Sequence, residues 1–153
     1  MEANDLLVER VSAASAELAE AMARLVPQLS SSAAAPDLGG LEQIVTAPGT
    51  SLLVARVASL GEAIVGSLTL VLYRIPTGLH AVIEDVVVDE SARGQGVGAA
   101  LLEEAVWIAQ GQGARHVNLT SRPSRGAANR MYERAGFVKR ETNVYRKALD
   151  VPG

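Results

Sequence analysis

The chain has 153 residues, 48% hydrophobic and 20% charged, with no cysteine and a formal charge of -3. Those values fit one globular domain and exclude a disulfide scaffold or a thiolate zinc site. Two histidines, His80 and His116, are too few for a histidine-rich centre, so no metal is expected.

Surface scaling for a chain of this length gives roughly 7,400 Å² exposed when folded against roughly 23,000 Å² unfolded, enough for a substantial core. Glu2, Asp5 and Glu9 stand where a secretory leader would carry basic residues, and charges interrupt each apolar run well short of a membrane span. A cytoplasmic protein with no membrane partner is the expectation. Net acidity and only five aromatic residues argue against a nucleic-acid partner. The charge is uneven: residues 76 to 153 carry ten basic and nine acidic side chains, against four and eight in residues 1 to 75. Arg122, Arg125, Arg130, Arg134, Lys139, Arg140, Arg146 and Lys147 make a basic stretch that could face a polyanion or simply solvent.

In chain order, Leu6 to Val11 reads as a strand. A helix follows, with Ser12 as N-cap and Leu18, Met22, Leu25, Val26 and Leu29 at helical spacing. Ser30 to Pro36 reads as a mobile connection, and Asp37 caps a second helix presenting Leu38, Leu41, Ile44 and Val45. The period then changes to two, with strands at Leu52 to Ala58, Ala63 to Tyr73 and Leu79 to Asp89, giving an antiparallel meander. Val97, Ala100, Leu101, Ala105 and Ile108 mark a helix closed by Gly111 and Gly113, before a strand at His116 to Ser121. That unit predicts a parallel pair. A last helix opens at Pro123 and Ser124 and ends at Gly136, followed by a hairpin of Phe137 to Lys139 with Val144 to Leu149. The fold class is therefore α/β, a mixed, mainly antiparallel sheet flanked by helices. Trp107 reads as packing and both histidines as surface or edge residues.

Arg93-Gly94-Gln95-Gly96-Val97-Gly98 lies between an apolar strand and an amphipathic helix, so free backbone N–H groups converge near a helix N-terminus. Such a place attracts phosphate. No Lys followed by Ser or Thr ends the run, which excludes a Walker A loop. The relaxed Rossmann pattern does fit Gly94 to Ala99, and an NADP-binding oxidoreductase is one alternative. The spacer Asp89 to Arg93 and the antiparallel meander speak against it.

These residues resemble the GNAT superfamily of N-acetyltransferases, whose acyl-coenzyme A loop is Arg or Gln, two spacers, Gly, a spacer, then Gly or Ala. Arg93, Gly96 and Gly98 match, as do Ile83 to Asp89 with the family's fourth strand and Met131 to Phe137 with its closing helix. The resemblance is specific from about Ile83 to Phe137 and implies a single domain over residues 1 to 153. Its acyl-coenzyme A core would span about 79 to 137, and its sheet would splay between strands 4 and 5.

The resemblance implies acetyl transfer from acetyl-CoA to a primary amine of a small molecule or of a protein or peptide. It assigns coenzyme contacts to Val86, Val88, Arg93, Gly94, Gln95, Gly96, Val97 and Gly98, with Val88 N–H also meeting the oxyanion. An amine of pKa near 10.4 is only about 0.1% neutral near pH 7.4, which costs roughly 4 kcal/mol unless a base acts. Strict alternation would put Glu84, Val86 and Val88 on one face, and Glu84 is the expected base, acting through water; Asp85 replaces it if a bulge intervenes. Tyr132 matches the tyrosine that protonates the departing sulfur. Arg125 stands where many relatives carry Asn, so either Asn129 takes over that bond or Arg125 meets a phosphate. Arg125, Asn129 and Tyr132 should share one helix face, with Ala128, Met131 and Ala135 inward. The amine should dock against the first two helices, drawn by Asp37 and Glu42. A noncatalytic acyl-CoA sensor is the competing reading, and a homodimer through the last strand is compatible with the pattern.

Overall fold

The computed structural model describes residues 5–152; Glu2 lies outside them. A five-stranded sheet runs in the order β1 (Leu6–Arg10), β2 (Thr50–Val57), β3 (Ile64–Ile75), β4 (Gly78–Val88), β5 (Val117–Asn118). The first four strands are antiparallel neighbours and β5 joins β4 in parallel, as the connection through a helix requires. This order is not a doubly wound one, and the glycine loop is separated from β4 by a short 3-10 turn at Glu90–Ala92, so the Rossmann alternative falls.

Helices α1 (Ala16–Leu29) and α2 (Leu38–Thr46) cover one face of the sheet, and α3 (Val97–Gly111) and α4 (Gly126–Arg134) lie against the other. Leu53, Ala55, Val57, Leu68 and Leu70 meet Leu101, Leu102 and Ala105, while Leu52, Val54 and Val87 meet Leu18, Leu25 and Leu41. Burial on both faces explains why Leu52 to Ala55 is an unbroken apolar run, where an alternation of period two was expected.

The α1 cap is Ser15, whose Oγ accepts the Leu18 N–H at 3.1 Å, not Ser12. Starting there buries Leu18, Ala21, Met22 and Leu25 and brings Glu17 to Arg56 at 2.7 Å. Asp37 does cap α2, accepting from Gly40 N–H at 2.8 Å. Ser30 closes a compact turn by accepting from the N–H groups of Ser32 and Ala33.

Two expectations fail near the C-terminal end. Only Val117 and Asn118 of the expected strand His116 to Ser121 pair with β4. The expected final hairpin is absent: among the described residues no strand follows α4, and every residue from 138 to 152 is exposed. A hairpin needs a third strand to lean on, and a two-residue edge strand offers almost none. Trp107, expected in packing, is 70% exposed on α3.

Candidate active site

β4 contains the device that shapes the site. Its pairing with β3 shifts register between Ser67 and Thr69, and Asp85 takes the extra place with φ +52°, the left-handed conformation of a bulge residue. Strict alternation is thereby broken. Val86 and Val88 pack toward α3 and α4, Val87 packs toward α1 and α2, and Glu84, paired with Thr69, shares the Val87 face. The expectation that Glu84, Val86 and Val88 lie on one face is corrected by this bulge.

The same bulge sits where β4 and β5 part. They pair only at Ala81 with Val117 and Val82 with Asn118. Beyond that a cleft of about 150 Å³ opens between Ile83–Val86 on β4 and Leu119 and Thr120 after β5. Arg125, Tyr132 and Leu29, the last residue of α1, complete its walls. Glu84 and Asp85 both line the cleft and both are exposed to solvent.

Farther along β4 the backbone polarity can be read from one bond. Asp89 N–H donates to Val65 O at 2.8 Å, so by the two-residue period of an antiparallel ladder the N–H and C=O of Val88 point away from β3, toward the opened side.

Tyr132 is held by the end of α4. Gly136, with φ +94°, donates its N–H to Glu133 O at 3.0 Å, and Phe137 N–H reaches Tyr132 O at 3.0 Å, the double bond of a Schellman motif. The accompanying apolar contact is Phe137 against the Tyr132 ring, edge-on with centroids 6.3 Å apart. Burial pushes the Tyr132 phenol above its ordinary pKa, partly opposed by the Arg125 charge, so the hydroxyl keeps its proton through neutral pH. Met131 and Tyr132 are the residues of α4 that pack inward, whereas Ala135 is exposed, so the expected separation into a cofactor face and a core face does not hold.

The glycine loop leads into α3. Gly94 and Gly96 have φ +78° and +82°, which L side chains adopt at a cost, and a Cβ built on either meets nothing within 4 Å. The space beside them is open. Gly96 is the N-cap of α3, and Ala100 N–H to Gly96 O at 3.0 Å is the first bond of the helix, so the N–H groups of Val97, Gly98 and Ala99 have no partner within it. An open cradle of unpaired donors at the N-terminus of a 15-residue helix suits a diphosphate. The missing side chain of Gly98 serves packing as well. A Cβ there would lie 2.6 Å from Met131 Sδ, so glycine lets α4 close on α3. Gly66 on β3 does the same for Val97, at 2.8 Å.

Arg93 does not present its own N–H to the cradle. That group turns back to Glu90 O at 3.5 Å, while Nε donates to Val88 O at 3.2 Å and Nη2 to Gln28 Oε1 at 3.4 Å. Gln95 Nε2 reaches Ser91 O at 3.5 Å. Asp89 braces the same junction: it accepts from Ser91, and with Gln28 and Arg24 nearby its carboxyl is held below the usual range. Asn129 Nδ2 donates to Arg122 O at 3.0 Å, fastening the turn before α4. Asp37 and Glu42, expected to draw the amine, are engaged instead in the α2 cap and in a 3.4 Å bond from Ala14 N–H, and neither lines the cleft. His80 and His116 meet edge-on at 4.7 Å, and Thr77 Oγ1 lies 2.8 Å from His80 Nε2, away from the cleft.

The family profile described as Acetyltransferase (GNAT) family matches residues 18–137, a stretch that contains the cleft, the cradle and the Tyr132 helix. The chain belongs to the GNAT family. It is accordingly an acyltransferase. An aminoglycoside acetyltransferase from an uncultured soil metagenomic sample superposes with a TM-score of 0.82 at 20% identity, covering 97% of this chain and 99% of that one. An acetyltransferase of Trypanosoma brucei gives 0.73 at 27% identity over 94% and 100%. The glucosamine-6-phosphate N-acetyltransferase of Arabidopsis thaliana gives 0.74 at 18% over 93% and 97%. No curated protein matches the sequence.

Sequence reading missed Leu29, Leu119 and Thr120 as cleft residues and Gln28 as a partner of the loop. Leu29 was visible as a helical apolar position, but nothing local distinguishes a cleft wall from core.

Proposed function

We propose that this GNAT enzyme, acting as a single domain in the cytoplasm, transfers an acetyl group from acetyl-CoA to a primary amine by direct attack in a ternary complex. The observation that carries the reading is the parting of β4 from β5 after two residue pairs, with Glu84 and Tyr132 both lining the resulting cleft. Val88 N–H, turned toward the opened side, supplies one donor for the oxyanion, an interaction worth about 3 kcal/mol when preorganised. Val86 offers its main chain to the pantetheine amides as an added strand would, while Val88 meets the coenzyme through the N–H at its acyl carbonyl and keeps its own C=O on Arg93 Nε. Gly94, Gln95, Gly96, Val97 and Gly98 direct backbone donors at the diphosphate, and Arg93 braces that loop from behind.

The bulge turns Glu84 off the Val86 and Val88 face but leaves it on the cleft wall, so Glu84, exposed at the mouth, keeps the role of base rather than passing it to Asp85 and takes the ammonium proton through water, and the Tyr132 hydroxyl returns a proton to the leaving sulfur. Asp85, beside it, adds negative charge that favours a cationic amine. Arg125 lines the same cleft and Asn129 secures the turn that carries it. Nucleic acid and membrane play no part in this reading.

Thermal-shift titration with acetyl-CoA and NADP, then thiol release over aminoglycosides, amino sugar phosphates, peptide N-termini and lysine peptides, tests it. Stabilisation by acetyl-CoA alone, with release on one amine class, is expected. Binding without release for any amine would make the chain a sensor, and stabilisation by NADP alone would overturn the assignment.

A further inference from the structure

We propose that Gln28 is a positioning residue that couples the coenzyme loop to the acceptor wall: through it, a ligand held by the loop steadies the last turn of α1 and with it Leu29. The proposal rests on the coenzyme reading above.

The last turn of α1 is weak by construction. Pro27 lies inside the helix and has no N–H, so the bond to Ala23 C=O is missing there. Ala23 C=O keeps no such partner, but one residue on, Gln28 adds a side-chain bond to the same turn, donating Nε2 to Arg24 O at 3.1 Å. Its Oε1 leaves the helix and accepts from Glu90 N–H at 3.0 Å and from Arg93 Nη2 at 3.4 Å. Arg93 is itself tied to Val88 O at 3.2 Å. One amide side chain thus bridges the end of β4, the start of the glycine loop and a helical turn lacking one backbone bond. The next residue, Leu29, lines the cleft that holds Glu84 and Tyr132.

The direction of coupling follows. Gly94 and Gly96 leave the loop freedom that a bound diphosphate removes, and fixing the loop fixes Glu90 and Arg93. With both donors fixed, Gln28 is fixed, and the helical turn it supports opens less often. Any amine that leans on Leu29 then binds better when coenzyme is present, and by linkage the reverse also holds.

Hydrogen exchange of the full chain, with and without coenzyme A as the probe, tests this. In the wild type, coenzyme A should slow exchange at residues 94–100 and also, by about fivefold or more, at 28–30. Gln28→Ala should bind coenzyme A within about threefold of wild type and still protect 94–100, yet show no slowing at 28–30. Gln28→Glu keeps the oxygens that accept from Glu90 N–H and Arg93 but loses the donor to Arg24 O, so it should retain part of the slowing at 28–30, between wild type and Gln28→Ala, a graded response that a purely structural role would not produce. Protection of 94–100 in the wild type without any change at 28–30 overturns the coupling and leaves the coenzyme site standing. Undiminished coupling in Gln28→Ala overturns it equally. Failure of coenzyme A to protect 94–100 overturns the coenzyme reading, and the coupling falls with it.

Discussion

Tyr132 combines two properties at the residue scale: a proton kept by burial and a ring pinned by Phe137 through the Gly136 turn. Tyr132→Phe is expected to lower kcat by about a hundredfold or more while coenzyme affinity, measured by titration, stays near wild type. Because the folded pKa is raised, the proton is retained until pH rises above about 10, so loss of activity from tyrosine ionisation belongs above that pH and not near 8. A pH profile of kcat checks it. Gly98 is a residue with a packing reason. Gly98→Ala places a methyl against Met131 Sδ and should destabilise by about 1–3 kcal/mol in denaturant titration, with Met131→Ala in the same chain recovering part of the loss. The sequence marked both positions, yet it gave no sign that Gly98 also has a packing reason, because a glycine that admits a ligand and one that admits a neighbouring helix are written alike.

At the scale of elements, the loop and α3 act as one unit: open space beside Gly94 and Gly96, then a helix whose first donors are unpaired. Gly96→Val should abolish detectable coenzyme A binding by calorimetry and cost about 1–3 kcal/mol of stability, since φ +82° is strained for a branched side chain. Helix α2 was legible to its cap, because Asp37 stands alone before an apolar helical pattern. The start of α1 was not, since Ser12 and Ser15 are both cap residues, and the register seen is the one that buries Leu18, Ala21, Met22 and Leu25 on the sheet, with Glu17 reaching Arg56 at the surface. β5 was legible as a strand but not in length. Its pairing ends at Val82 with Asn118, short of the Asp85 bulge on its neighbour, and both the end of the pairing and the bulge depend on partners that local sequence does not record.

The whole molecule exposes 10205 Å², against the roughly 7,400 Å² that scaling gives for a compact chain of this length. The excess fits residues 138–152, where Val138, Val144, Tyr145, Leu149 and Val151 are each more than two thirds exposed. Stability resides in the two sandwiched clusters and in the ties that join layers, among them Asp89 between β4, the loop and α1. Its carboxyl has a lowered folded pKa, so its contribution is complete above the unfolded value near 4 and is lost as pH falls through the folded value. Asp89→Asn should therefore be less stable than wild type at pH 7, and the difference should shrink below about pH 4 in unfolding titrations across that range.

The sequence by itself determined the element order as far as the last helix, the meander followed by a crossover, the glycine cradle and the tyrosine helix, because each is written in short-range periodicity or in turn chemistry. The tertiary structure alone decided which face Glu84 occupies, how soon β5 leaves β4 and that Gln28 meets Arg93. Those outcomes depend on strand register and on contacts between residues more than sixty positions apart, where no local pattern constrains the partner.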